Sequence, residues 1–209
     1  MRAIRIHELS GVDALRLEEV PSPSPTPGHI RVAVHAAGVN FADTLIVTGV
    51  YQYKPDLPFT PGMEAAGTVI DVGEGVTGFT PGDRVLAPIR QGAYAEEVIV
   101  DAQHVIRMPD DMDFVTGAAF PIGYGTSHLA LTHRTRLRAG EVLLVLGAAG
   151  GVGLTAVEVG KALGATVIAC ASSDEKLAIA KSRGADILIN YATEDIPVPT
   201  SDDFLIGVV

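Results

Sequence analysis

The sequence predicts an α/β protein in two parts: a β-rich N-terminal domain over residues 1–120, then a partial parallel β-α-β-α-β sheet over residues 121–209. Short alternating or apolar runs at 3–7, 30–36, 66–72, 84–87 and 95–100 are punctuated by Pro-Gly pairs at 27–28, 61–62 and 81–82. That spacing suits an antiparallel or barrel-like domain. Beyond residue 114 the pattern changes to apolar strands alternating with small-residue helices, which is the pattern of a covered parallel sheet. Hydrophobic residues make up 47% of the chain and charged residues 19%, with 23 glycines. That is a globular composition, and 209 residues are enough to bury a core.

In chain order, Met1-Arg2-Ala3-Ile4-Arg5-Ile6 alternates like a strand and has no signal-peptide core. Residues 21–28, Pro-Ser-Pro-Ser-Pro-Thr-Pro-Gly, read as an extended surface connector. Residues 114–131 are rich in Ala and Gly and fit a helix interrupted near Pro121-Ile122-Gly123. Then come a strand at 141–147, a helix at 151–163, a strand at 166–172, a helix at 174–183 and a short strand at 187–190. The prolines at 197 and 199 argue against a helix there, so a loop leading into a strand-like end at 204–209 is expected.

Charge and cysteine usage exclude several classes. A net charge of −10 with no offsetting Lys/Arg run makes nucleic acid an unfavourable partner. No apolar run reaches the ~18 residues that span a bilayer. The single cysteine, Cys170, lies in a strand-like run, cannot form an internal disulfide and reads as a buried structural thiol. A soluble, reducing compartment, the cytoplasm, is expected.

The most informative stretch is Gly147-Ala148-Ala149-Gly150-Gly151-Val152-Gly153. It matches G-x-G-x-x-G with alanine at the first glycine, between a strand and a helix, as a dinucleotide loop requires. Gly150 lets backbone approach a pyrophosphate, Gly153 lets the helix pack on the strand, and the free N–H groups of the helix start receive the charge. A ligand-free strand–helix turn is the alternative. The next strand ends in Ala171-Ser172-Ser173-Asp174-Glu175-Lys176. No carboxylate closes that strand to take ribose hydroxyls, and Asp174 and Glu175 fit a helix first turn capped by Ser172 or Ser173. Lys176 and the serine hydroxyls then suit a 2′-phosphate, which selects NADP over NAD; the alternative for Lys176 is a solvated helix lysine.

With Ala36-Ala37-Gly38-Val39-Asn40-Phe41-Ala42-Asp43, this loop closely resembles the zinc-free quinone oxidoreductases, the zeta-crystallin-like branch of the medium-chain dehydrogenase/reductase superfamily. Leu57-Pro58-Phe59-Thr60-Pro61-Gly62-Met63-Glu64, Gly82-Asp83-Arg84-Val85 and Ile189-Asn190-Tyr191 extend the likeness over residues 1 to about 195. The resemblance implies a GroES-like N-terminal domain, a Rossmann cofactor domain, and NADPH-dependent hydride transfer to a quinone or conjugated enone. It also implies no metal. Zinc-dependent relatives carry a cysteine where this chain has Asn40 and a histidine where it has Met63, and Zn²⁺ needs thiolate or imidazole ligands. His7, His29, His35, His104, His128 and His133 show no ligand spacing.

Carried over position by position, Asn40 and Asp43 line the cleft beside the nicotinamide with Tyr51 nearby; without the resemblance, Asn40 and Asp43 read as a polar turn. Tyr124-Gly125-Thr126 approaches the nicotinamide. Ala149, Gly150, Gly151 and Val152 hold the pyrophosphate, and Ser172, Lys176 and Tyr191 contact the 2′-phosphate. Many members have tyrosine and arginine where this chain has Leu45 and Val47, so the polarity of the quinone pocket does not carry over. The expected chemistry belongs to the cofactor, with Asn40 a hydrogen-bond donor to the developing oxygen.

Members of this family are longer than 209 residues. A full dinucleotide fold has two βαβαβ halves, and this sequence supplies the one serving the ADP moiety. The resemblance places the usual dimer edge in the later strands, so a homo-oligomer is possible but that edge is expected to be missing. The alternative function is therefore a shortened, weakly active or inactive relative that acts as an NADP-binding or structural module.

Overall fold

The computed structural model describes residues 1–195; the loop and terminal strand expected at 196–209 lie outside the described residues. The chain divides into two compact units, the first ending at Ile122 and the second beginning at Gly123.

The first unit is antiparallel throughout. Strands β1 (Arg2–Arg5) and β2 (Arg16–Glu19) form a two-stranded ladder. Strands β3 (His29–Ala37), β4 (Glu64–Val72), β5 (Arg84–Pro88), β6 (Glu97–Asp101) and β7 (Ile106–Arg107) form a sheet in the order β6-β3-β4-β5-β7. The period of two in the sequence explains the facing: Ile30 and Val32 of β3, Val98 and Val100 of β6, and Val85 and Ala87 of β5 turn into one core. The helix α1 (Phe41–Val47) was not anticipated. Seven residues are too few to show a helical period, yet its Ile46 and Val47 bury with Ile6 and Phe59 in a second core.

The single interrupted helix expected at 114–131 is three pieces: α2 (Phe114–Ala118), α3 (Phe120–His128) and a π-helical turn, Leu129–Arg134. The break falls at Ala119, not at Pro121-Ile122-Gly123. Pro121 lies in the first turn of α3, where its missing N–H has no carbonyl to lose. Asp113 caps α2, accepting from Thr116 N at 2.9 Å.

The second unit has the expected alternation. Strands β8 (Val142–Leu146), β9 (Thr166–Ala171) and β10 (Ile187–Asn190) are parallel, in the order β10-β9-β8. Helices α4 (Gly151–Ala162) and α5 (Asp174–Ser182) connect them. On α4 the buried residues are Gly153, Ala156, Val157 and Gly160, a helical stripe of small side chains that meets Leu143, Val145, Val167 and Ala169. Closeness is the point of this stripe: a Cβ on Gly160 would lie 2.5 Å from Leu143 Cδ2 and 3.2 Å from Val167 Cγ2. Cys170 is buried, and its thiol is pushed up by loss of water. Among the described residues no helix is long and apolar enough to cross a membrane.

Candidate functional site

The glycine loop follows β8. Gly147 has φ 62, a left-handed conformation suited to glycine, and its carbonyl accepts Gly150 N at 2.9 Å. Ala148 is fully buried and donates its N–H to Cys170 O at 3.0 Å, pinning the loop to β9. The residue that needs glycine's freedom is thus Gly147, and Ala148 at the motif's first glycine position causes no strain. Gly150 caps α4, with Leu154 N bonding its carbonyl at 2.8 Å. The N–H groups of the first turn, from Gly151 onward, have no intrahelical acceptor and face any anion placed there.

A cavity of about 480 Å³ opens beside this loop, lined by Gly147, Ala149, Gly150, Ala171, Lys176, Ile179 and Tyr191. It brings together four of the expected cofactor residues, Ala149, Gly150, Lys176 and Tyr191. Gly151 has no atom within 4 Å of where a Cβ would be, so its face is open. Val152 contributes its carbonyl, which accepts from Ser127 Oγ at 3.0 Å. Ser173 is the cap of α5, accepting Lys176 N at 3.4 Å, and Asp174 and Glu175 fill the first turn. Ser172 does not line the cavity but holds Lys176 Nζ at 3.1 Å, aligning the one cation on the wall. Gly147, from the loop itself, and Ala171, from the end of β9, complete the wall, and the residue missed in the sequence is Ile179. Ile179 projects from α5, and only the helical period following Lys176 hinted at its side.

Thr126 is exposed on α3. Its neighbour Ser127 is fully buried and bonds Thr155 Oγ1 at 2.8 Å, while Thr155 Oγ1 donates to Gly123 O at 3.0 Å. These bonds fix α3 against the first turn of α4. The Tyr124 hydroxyl bonds the Glu158 carboxylate on α4, which raises the phenol's pKa, and Arg183 bonds the same carboxylate at 2.9 Å.

In the first unit, Asn40 precedes α1 and Asp43 lies in its first turn, with Asp43 Oδ2 accepting Asn40 N at 2.8 Å. Two residues not anticipated from the sequence complete the cluster. Glu64, at the start of β4, accepts Asn40 Nδ2 on Oε1 and Ile122 N on Oε2, both at 2.8 Å. The Tyr94 hydroxyl donates to Asp43 Oδ2 at 2.9 Å. Burial drives the Tyr94 phenol well above its ordinary pKa, with the Asp43 bond acting in the same direction. Burial likewise raises Glu64, against the pull of its bonds from Asn40 and Ile122. Asp43 Oδ1 is buried without a hydrogen-bond partner. Tyr51 packs beside α1, in the apolar cluster of Ile46, Val47 and Phe59. An acid opening the apolar run Glu64-Ala65-Ala66-Gly67 was the available signal for Glu64; nothing local marked Tyr94.

A second concavity of about 550 Å³ on the first unit, lined by His29, Arg90, Asp101 and His104 among others, holds none of the expected residues. Among the described residues no group of three His, Cys, Asp or Glu side chains is placed to hold a metal ion.

Residues 26–110 match the family described as alcohol dehydrogenase GroES-like domain, and residues 151–201 match the one described as zinc-binding dehydrogenase. Quinone oxidoreductase from Rattus norvegicus is 41% identical over 193 residues, 91% of this chain and 59% of that protein. Together these matches support a quinone oxidoreductase-like member of the medium-chain dehydrogenase/reductase superfamily. Quinone oxidoreductase-like protein 2 from Mus musculus is 43% identical over 85% of this chain and 51% of its own length. The Escherichia coli quinone oxidoreductase, solved in complex with NADPH, superposes with a TM-score of 0.88 at 36% identity, covering 93% of this chain and 60% of that one. The fold is thus a GroES-like antiparallel domain followed by a partial Rossmann sheet. The chain spans about half to three-fifths of the length of these relatives.

Proposed function

We propose that the chain carries the NADPH-binding and acceptor-binding groups of an oxidoreductase that passes hydride to a quinone or conjugated enone without zinc. The observation that carries this reading is the cavity walled by the Gly147–Gly150 backbone on one side and by Lys176 and Tyr191 on the other. The open glycine face fits a pyrophosphate, and the lysine, held by Ser172, fits a 2′-phosphate. The Escherichia coli relative, solved with NADPH, supports the same cofactor. Residues 1–120 would supply the acceptor site and residues 121–209 the cofactor site.

The chemistry supplied by the bound cofactor is hydride donation from its nicotinamide. The protein's part is placement. The loop and α4 would hold the phosphates, with Gly151 and Val152 in the helix first turn and Thr126 on the adjoining α3. The second Nδ2 hydrogen of Asn40 stabilises the oxygen on which negative charge develops. Asp43 holds Asn40 through its backbone N–H, and Tyr94 holds Asp43. Tyr51, packed on α1, shapes the apolar wall. Asn40 and Met63 stand where zinc relatives carry ligands, and neither serves Zn²⁺ well, which supports the metal-free reading.

A second reading is favoured by one observation. The parallel sheet of the described residues has three strands, the half of a dinucleotide fold that serves ADP. On that reading the chain is an NADP-binding module with little turnover of its own. Measuring NADPH binding by fluorescence, and NADPH oxidation on a simple quinone in the same preparation, separates the two. Binding with oxidation supports the enzyme; binding without it supports the module.

A further inference from the structure

Glu64 is 2% exposed and enters a space that exists because residue 38 is glycine. A Cβ on Gly38 would overlap the Glu64 carboxylate and lie 2.7 Å from its Cγ. A buried carboxylate is costly unless hydrogen-bonded, and this one accepts a bond on each oxygen. The two donors differ in kind. Ile122 N is backbone in the first turn of α3 and cannot turn away. Asn40 Nδ2 belongs to a side-chain amide that can rotate by half a turn and exchange donor for acceptor.

We propose that Glu64 is a positioning residue that sets which way the Asn40 amide faces. An ionised carboxylate only accepts, so Nδ2 must point at it; Oδ1 then faces the Asp43 backbone N–H in the capping box of α1, and a single Nδ2–H is left for a ligand. As it bears on turnover, this inference rests on the reading of Asn40 as the hydrogen-bond partner of the reducible carbonyl; the orientation itself does not. Asp43, the nearby acid on α1, and the Tyr94 phenol are the other titratable groups that act on this cluster.

The variant Glu64→Gln tests it. A glutamine amide has one acceptor and one donor end, and the immobile Ile122 N–H claims the acceptor. The donor end then faces Asn40, whose amide either inverts and gives up the Asp43 N–H of the capping box or turns away from residue 64; in both cases its Nδ2–H loses the carboxylate acceptor. In ¹⁵N-labelled full chain the Asn40 side-chain amide, assigned by its loss in Asn40→Ala, should show one shifted, slowly exchanging proton in the wild type and none in Glu64→Gln. Identical Asn40 signals in the two would overturn the proposal. Should Glu64→Gln fail to fold, the Glu64 carboxyl ¹³C shift in wild type and Asn40→Ala replaces it: a change supports the contact, and no change overturns it.

In turnover, Glu64→Gln should lower kcat on the order of a hundredfold, as a misplaced reacting group does, with NADPH affinity unchanged. It should cost nothing further in an Asn40→Ala background; an equal loss there would show Glu64 acting independently of Asn40. A wild type that binds and turns over nothing would count against the proposed function, while the amide signals would still decide the orientation.

Discussion

Two glycines two residues apart in the phosphate loop should respond differently to alanine, one losing stability and the other not. A Cβ on Gly153 would collide with the Gly147 carbonyl oxygen and lie 2.9 Å from Ala148 Cα and 3.0 Å from Gly147 C. All three obstacles are backbone, and Ala148 is anchored to Cys170 O, so the loop cannot yield without loosening β8 from β9. Overpacking of this kind costs about 2–3 kcal/mol, and alanine's better helix propensity returns about 1 kcal/mol. The net loss of about 1–2 kcal/mol corresponds to a Tm lower by roughly 2–8 °C in a chain of this size. Gly151, at the start of the same helix, has no neighbour within 4 Å of a Cβ and no left-handed φ. There alanine should leave Tm unchanged or raise it by about 1–3 °C. Thermal unfolding of the ligand-free chain by far-UV circular dichroism reads both. A Gly153→Ala variant as stable as Gly151→Ala would refute the close-packed loop.

Lys176→Ala should weaken NADPH by about tenfold or more, the worth of a charge-assisted hydrogen bond, and leave NADH nearly unchanged. Equal losses for both cofactors, measured by fluorescence titration, would remove the 2′-phosphate role. Asp186 accepts Lys161 Nζ on both oxygens at 2.8 Å and Val167 N at 2.7 Å, and the Lys161 bond holds its carboxyl below the usual range. Because the folded state depresses this pKa, the stabilisation is complete above the ordinary carboxylate pKa and fades as pH falls through the folded value. Asp186→Ala should therefore lower Tm at neutral pH, with a gap to wild type that narrows in acid. A pH-independent gap would assign the loss to packing alone.

The second unit was legible because its signals are local. A strand, a glycine loop and a small-residue helix follow one another in sequence, and Ser173 stands next to the helix it caps. The first unit hid more. Strand β2 has a mostly exposed surface and β7 is two residues long, so neither carries a hydrophobic period. Asn40 and Asp43 were marked by resemblance, but their partners come from far along the chain: Glu64 across the sheet and Tyr94 from the turn before β6. Which polar residue meets which is decided by strand register and by the space Gly38 leaves. No short window of sequence contains that information.

The central claim is that the Gly147–Val152 loop, Lys176 and Tyr191 form an NADPH site. The direct measurement is an NADPH fluorescence titration of the folded chain with NADH as the competitor of reference. The account predicts saturable binding of NADPH, tighter than NADH and weakened by Lys176→Ala. A folded chain that binds neither nucleotide, or binds both equally, would contradict it.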